Sequence, residues 1–203
     1  MDAEYYIQHL EMAPHPEEGG FFAIRHRSTF QVDTPGSRGP PRRPVLSTIH
    51  YMLRQPSPVM FVHVNAKSDI SHFWHAGENF IASFLGQCTF RLGEAIAYIL
   101  VDPSTDELMN VVLGPHLHEG QVLQFTCPAG WWKAATLPVD TISGFGLLSE
   151  AVGPAFDYAD NFLLQEEDIA HSKHASIVRP YLRPPGWVRP TPREPQANYG
   201  ATD

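Results

Sequence analysis

Only two cysteines occur in 203 residues, Cys88 and Cys127, in separate segments and without a CxxC or other zinc spacing. That excludes a disulfide framework and a cysteine-built zinc site, and both read as buried thiols of a reducing compartment. No apolar run is long enough to span a bilayer, and the opening residues MDAEYYIQHLEM begin acidic, unlike a secretory leader. A cytoplasmic protein without membrane contact is expected. Basic charge is scarce too: 14 Lys and Arg face 22 Asp and Glu, a formal net charge of −8. Phosphate recognition needs concentrated lysine and arginine, so no nucleic-acid partner is expected. The one basic run, Arg38 to Arg43, lies among prolines and reads as a solvated loop.

What is present points to a folded β protein. Hydrophobic residues make up 43% and charged residues 18%, which excludes wholesale disorder. Fifteen glycines and nineteen prolines fall in short interruptions, which favours strands and turns over long helices. Tyr6, Ile7 and Leu10 share one helical face, so Ala3 to Met12 is expected as a short helix ending before Pro14. Strands are expected over Phe21 to Phe30, Val45 to Leu53, Asn79 to Leu85, Thr89 to Leu92, Ala95 to Val101, Met109 to Leu113, Gln121 to Cys127 and Ile142 to Val152. Gln31 to Pro44 reads as a surface loop, and Asp160 to Ile169 admits a helix. The length suits one domain over residues 1–178. An irregular Pro/Arg-rich tail over 179–203 follows, in which Tyr181, Leu182 and Trp187 are apolar enough to dock.

Histidine is concentrated where chemistry is first sought. Phe61 to Gly77, FVHVNAKSDISHFWHAG, places His63, Asp69, His72 and His75 among aromatics, and imidazole is the side chain that most readily changes charge near neutral pH. Strand alternation puts Phe61 and His63 on one face. A second strand puts Ile70, His72 and Trp74 on one face, with Ser71, Phe73 and His75 opposite. His72 and His75 cannot both look inward unless a bulge intervenes. A second pair, His116 and His118 beside Glu119, has spacing for one strand face but sits in what reads as a turn. Asp102, Asp106 and Glu107 read as turn residues in solvent.

Five segments in order carry a resemblance: HPEEGGFFAIRHRS, STIHYML, the histidine stretch, LGPHLHEGQVLQFTCPAGWWKAA and VGPAFDYADNF. Together, over about Leu10 to Phe162, they resemble a branch of the cupin superfamily whose function is uncharacterised. The resemblance implies an all-β double-stranded β-helix, a jelly-roll barrel with a short N-terminal helix and an irregular C-terminal tail. It also implies a homodimer and a ligand inside the barrel. Cupins in general place two His and a Glu in the first motif and a His in the second as metal ligands. The nine-residue spacing from His63 to His72 matches the branch, but the glutamate position falls on Asp69 or Ile70. Ser71 replaces a tryptophan, Lys133 stands where His or Gln is usual, and Ile24 stands where the branch has a Glu.

Two chemistries follow. His63, Asp69 and His72 resemble a two-His-one-carboxylate set for Fe, Mn or Zn, which would suit a dioxygenase-type oxidoreductase. A protonated Lys133 beside them would repel a divalent ion. The preferred expectation therefore has no cofactor. His63 or His72 moves a proton while Lys133 stabilises a developing enolate or carboxylate. The substrate pocket is expected among Phe61, Asp69, Phe73, Phe90, Phe125, Trp131 and Trp132, because ligand pockets are mostly apolar with a few polar anchors. An isomerase, lyase or cyclase acting on a small oxygenated molecule fits this set, as does a binding module without catalysis.

Overall fold

The expected N-terminal helix forms but stops at His9, short of the expected Met12. In a computed structural model, which describes residues 2–79, 91–92, 95–138 and 144–188, the helix α1 (Ala3–His9) starts where the Asp2 carboxylate accepts the Tyr5 N–H at 2.9 Å. It ends with Glu11 at a positive φ of 51°, ahead of Pro14. Tyr6, Ile7 and Leu10 then pack on Met12, Ala23, Met52, Phe145 and Leu147.

Short strands follow: β1 (Ala13–Pro14), β2 (Phe21–Arg27), β3 (Gln31–Asp33), β4 (Arg42–Pro44), β5 (Ser47–Arg54), β6 (Val59–Asn65), β7 (Asp69–Asn79) and β8 (Arg91–Leu92). Then come β9 (Ile96–Asp102), β10 (Glu107–Leu113), β11 (Gln124–Cys127), β12 (Trp132–Thr136), β13 (Phe145–Gly153) and β14 (Asn161–Leu163), and the short helices α2 (Glu166–Ile169) and α3 (Ala175–Val178). One sheet runs β1-β2-β5-β13-β7-β11, with β8 against β7, and the other runs β10-β9-β12-β6-β14. Non-sequential neighbours such as β5, β13 and β7 mean that the chain crosses repeatedly between sheets. The result is an all-β double-stranded β-helix. Tyr51, Leu53 and Leu148 from the first sheet meet Met60, Ile96, Tyr98, Leu113 and Ala135 from the second in one buried cluster. A second cluster lies outside the barrel, where Val62, Val101, Trp132 and Ala134 are covered by Leu164, Ile169 and Val178.

Three readings of the sequence change. Gln31 to Pro44 is not all loop: β3 and β4 pair as a hairpin, and Arg43 is buried against the Asp160 carboxylate at 3.2 Å. The basic run is thus partly internal, because Asp160 supplies the counter-charge that burial demands. Asp160 to Ile169 is not one helix, since Asn161–Leu163 adds an edge strand to β6 and only Glu166–Ile169 is helical. The expected strand Asn79 to Leu85 beyond Asn79, the turn Gly86 to Cys88, and Thr89 and Phe90 of the expected strand Thr89 to Leu92 lie outside the described residues, with Ile142 and the tail beyond Val188. Tyr181 and Leu182 pack on the outer cluster.

Candidate functional site

Strand parity brings three of the sequence-selected side chains into the barrel. Lys133 on β12 stands directly opposite His63 on the neighbouring β6. Its Nζ reaches across to His72 Nε2 on the other sheet, at 3.0 Å. All three are at most 1% exposed. On β6 the register shifts against β12 between the Met60 and His63 pairings, so Met60 and His63 both face inward. On β7 a bulge follows Trp74, where Leu148 pairs with Trp74 and Leu147 with Ala76. His72 and Trp74 therefore face inward, while His75 is exposed and bonds Ser149 Oγ at 2.5 Å.

Two carboxylates complete the group. Glu150 on β13 pairs with His72 across the sheet and lies 3.2 Å from its Nε2 and 3.3 Å from Lys133 Nζ. Glu18 enters from the loop before β2, with an oxygen 3.5 Å from His63 Nε2 and another accepting from Asn161 Nδ2 at 2.8 Å. That loop is a tight construction. Gly19 and Gly20 have φ of 85° and 68°, and an added Cβ would meet the Val59 and Met52 carbonyls at 2.5 and 2.6 Å, so no side chain fits. His15 Nδ1 accepts the Glu18 N–H at 2.9 Å, Tyr51 Oη donates to the Gly19 carbonyl at 2.6 Å, and Phe61 N–H donates to the Glu18 carbonyl at 2.7 Å. Arg183 donates twice to the Glu17 carbonyl while its guanidinium stacks over Phe61 at 3.9 Å and Trp187 at 4.8 Å.

The hydrogen bonds assign different tautomers to the two histidines. His63 Nδ1–H donates to the Phe61 carbonyl at 2.8 Å, which leaves Nε2 as a lone pair without a hydrogen-bond partner. Burial lowers the His63 pKa, so the ring is neutral at pH 7. At His72 the order is reversed. Nε2 lies between the Lys133 ammonium at 3.0 Å and the Glu150 carboxylate at 3.2 Å; an ammonium can only donate, so the shorter contact assigns the lone pair to Nε2 and the ring proton to Nδ1, which has no partner among the described residues. Burial first, and the Lys133 charge second, bring the His72 pKa down to about 4. Burial pushes the Glu150 carboxyl up, but Lys133 and His72 outweigh it and hold the group far below the usual range. For Glu18, burial is likewise overcome by His63, His15 and Lys133, and the pKa falls. Phe125 stacks parallel to the His72 ring at 4.4 Å, and Tyr98 approaches it edge-on at 5.1 Å, with its hydroxyl unpartnered among the described residues.

Other expected pocket residues lie elsewhere. Asp69 is exposed and accepts the Ala129 N–H at 2.8 Å, so it is not part of the histidine group. Phe73 stands opposite Ser149 and Gln124, on the same outer face as His75. Trp132 is buried outside the barrel beneath the C-terminal helices, since its neighbour Lys133 takes the inward place. Phe61 lies under Arg183, and Trp131 is half-buried in the turn before β12. His116, His118 and Glu119 surround a short 3-10 turn (Leu117–Glu119), with His118 78% exposed.

These placements bear on the metal ligands that cupins in general carry. The set His63, Asp69 and His72 does not fit: Asp69 belongs to the outer surface, and a lysine N–H occupies the His72 lone pair that an ion would need. Among the described residues no group of three or more His, Cys, Asp or Glu could hold an ion.

Glu18, Glu150, Tyr51, Tyr98 and Asn161 escaped the sequence reading. Glu150 was visible in principle as a lone charge at an inward position of the apolar strand FGLLSEAVG. Glu18 gave no such signal, because an acidic residue next to two glycines looks like a solvated turn.

Comparison with known proteins agrees with the architecture. A family model described as the cupin superfamily (DUF985) matches residues 4–164. An uncharacterized protein of Saccharomyces cerevisiae is 30% identical over 159 residues, covering 74% of this chain and 70% of that protein. A hypothetical protein from Leishmania major has a similar fold at TM-score 0.72 and 23% identity, covering 90% of this chain and 99% of that one. A Shewanella oneidensis protein gives TM-score 0.69 and 26% identity, with 91% and 99% covered. No helix among the described residues is long and apolar enough to cross a membrane.

Proposed function

Because the chain belongs to the cupin superfamily, in its DUF985 family, we propose that it is a small-molecule enzyme of the isomerase or lyase type that works by proton transfer without a metal. One observation carries this reading: the same barrel holds an unmatched imidazole lone pair, His63 Nε2, and an unmatched imidazole N–H, His72 Nδ1. A base and an acid, both neutral near pH 7, are what proton removal and return require. His63 takes a proton from a carbon acid, and the resulting imidazolium is stabilised by the Glu18 carboxylate beside Nε2. Lys133 has two of its three N–H donors engaged by His72 and Glu150, and the third opposes developing negative charge on the substrate oxygen. His72 Nδ1–H returns a proton as Lys133 passes one of its own to Nε2, so the ring stays neutral, and the proton held by His63 restores Lys133 before the next turnover. Phe125 offers a flat apolar wall. A homodimer belongs to the same reading and rests on the family resemblance, and a cytoplasmic location rests on the cysteine usage.

The test is deuterium wash-in. A panel of ketones, lactones, 2-oxo acids and 2-hydroxy acids is incubated with the protein in D2O and followed by proton NMR. At least one compound should exchange a C–H next to its carbonyl, and His63→Gln should slow that exchange about 100-fold or more. Exchange at equal rates in the wild type and His63→Gln rules the mechanism out, and so does the absence of exchange across the panel.

A further inference from the structure

The proposed reaction leaves open what kind of molecule the barrel accepts, and its charge inventory narrows this. Among the described residues the buried carboxylates beside the two histidines and in the loop before β2 are Glu17, Glu18 and Glu150, and the cations facing them are Lys133 and the half-buried Arg183, three negative charges against two positive. Burial pushes the Tyr51 and Tyr98 phenols well above their ordinary value and Cys127 to about 11, so none adds charge at pH 7. Arg183 directs its charge at Glu17 and Glu18 and its N–H groups at the Glu17 carbonyl, between its two aromatic neighbours, so it is not free to serve a ligand anion. An anionic ligand would enter a dry space that already has an unbalanced negative charge, at a heavy desolvation cost.

The hydrogen-bond inventory points the other way in polarity. Tyr98 Oη–H and His72 Nδ1–H are buried donors without acceptors among the described residues, and Lys133 retains one N–H. Tyr98 and Lys133 occupy adjacent strands, Tyr98 opposite Ala135 and Lys133 opposite Leu100, so they are near-diagonal neighbours facing the same interior. Both approach the same ring, His72, by the distances given above. Donors in surplus require an acceptor, and buried polar groups left unpaired are costly.

Resting on the proton-transfer reading, we infer that the barrel binds an uncharged carbonyl compound, its ring or plane against Phe125 and its oxygen received by Tyr98, His72 and Lys133, and that it discriminates against carboxylates. Neutrality spares the interior a further negative charge. The carbonyl oxygen supplies the missing acceptor and becomes the site of negative charge when a neighbouring C–H is lost.

The test uses two flat probes of similar size, 4-hydroxyacetophenone and 4-hydroxybenzoate, titrated into the intact protein at pH 7.5 by calorimetry. The ketone should bind about tenfold or more tightly than the carboxylate, a factor of ten being one well-made buried hydrogen bond. Tyr98→Phe keeps the ring and removes only the donor, and it should weaken ketone binding about tenfold. Tyr5→Phe, on the exposed face of α1, should leave it unchanged. The infrared carbonyl stretch of the bound ketone should move to lower frequency in the wild type and less so in Tyr98→Phe, a readout that loss of packing alone would not give. Equal or tighter carboxylate binding overturns the inference. So does binding of neither probe, or ketone affinity indifferent to Tyr98. A ketone that binds through Tyr98 without exchanging a proton sinks the catalytic reading alone. An anionic compound that exchanges through His63 sinks this inference alone.

Discussion

Two histidine pairs, one inside the barrel and one outside, share strand β7 and differ in almost every property. His63 and His72 are fully buried, each beside a carboxylate. His50 and His75 lie on the outer face of the seven-stranded sheet and converge on the Ser149 hydroxyl at 3.0 and 2.5 Å. Ser149 and Glu150 are consecutive on β13, yet one serves the outer pair and the other the inner. Burial lowers the pKa of all four rings, but only the inner pair is held by ionised partners on all sides. A sheet with two faces can thus present polar chemistry to solvent and to a dry interior at adjacent positions.

Breaking each side in turn measures that difference. Glu150→Ala removes the counter-charge of Lys133 and should cost about 3–5 kcal/mol of stability in urea unfolding, because one buried charge is left alone. If Glu150→Ala costs no more than Ser149→Ala, the inner group is not electrostatically closed. Acid should act next. His72 titrates at about 4 folded against 6.5 as its ordinary value, so between those values the unfolded chain binds more protons. Stability should fall as pH drops through this window, by about 3 kcal/mol in all, and stay flat for this group above it. Unfolding measured from pH 7 to pH 4 should lose much of that slope in His72→Gln and little in His75→Gln.

The aromatic clamp ranks third. Arg183→Ala removes two stacking contacts and the bonds to Glu17, and should cost about 1–2 kcal/mol. NMR titration should also move the His63 pKa upward, as water reaches the group that faces Glu18, His15, Lys133, Glu150 and His72. An unchanged His63 titration in a folded Arg183→Ala protein would disconnect the clamp from the inner pair. Smallest is Ser149→Ala, expected within about 1 kcal/mol, since the hydroxyl and its two partners can turn to water.

How much of this was legible depended on whether parity alone decided the matter. Alternation separated His72 from His75 and, applied consistently, would have put Phe73 outside with His75. It could not locate the register shift on β6, which needs the β12 pairing to appear, and so Phe61 was grouped with His63. Consecutive residues Trp132 and Lys133 present a tryptophan and a lysine, and hydrophobicity favours the wrong one for the inside. The lysine wins because Glu150, 17 positions away in sequence, is waiting across the barrel. The barrel itself came from five motifs in order, since periodicity alone supports any sandwich of short strands. Arg43 shows the same limit, its partner Asp160 lying far along the chain.

The backbone of Phe61 on β6 holds both Glu18 and His63. Its N–H grips the Glu18 carbonyl, and its own carbonyl grips the His63 ring. The loop and the strand are therefore tied through one residue, by bonds on the two successive peptide planes that meet at the Phe61 Cα, so a displacement of either segment is felt by both carboxylate and imidazole.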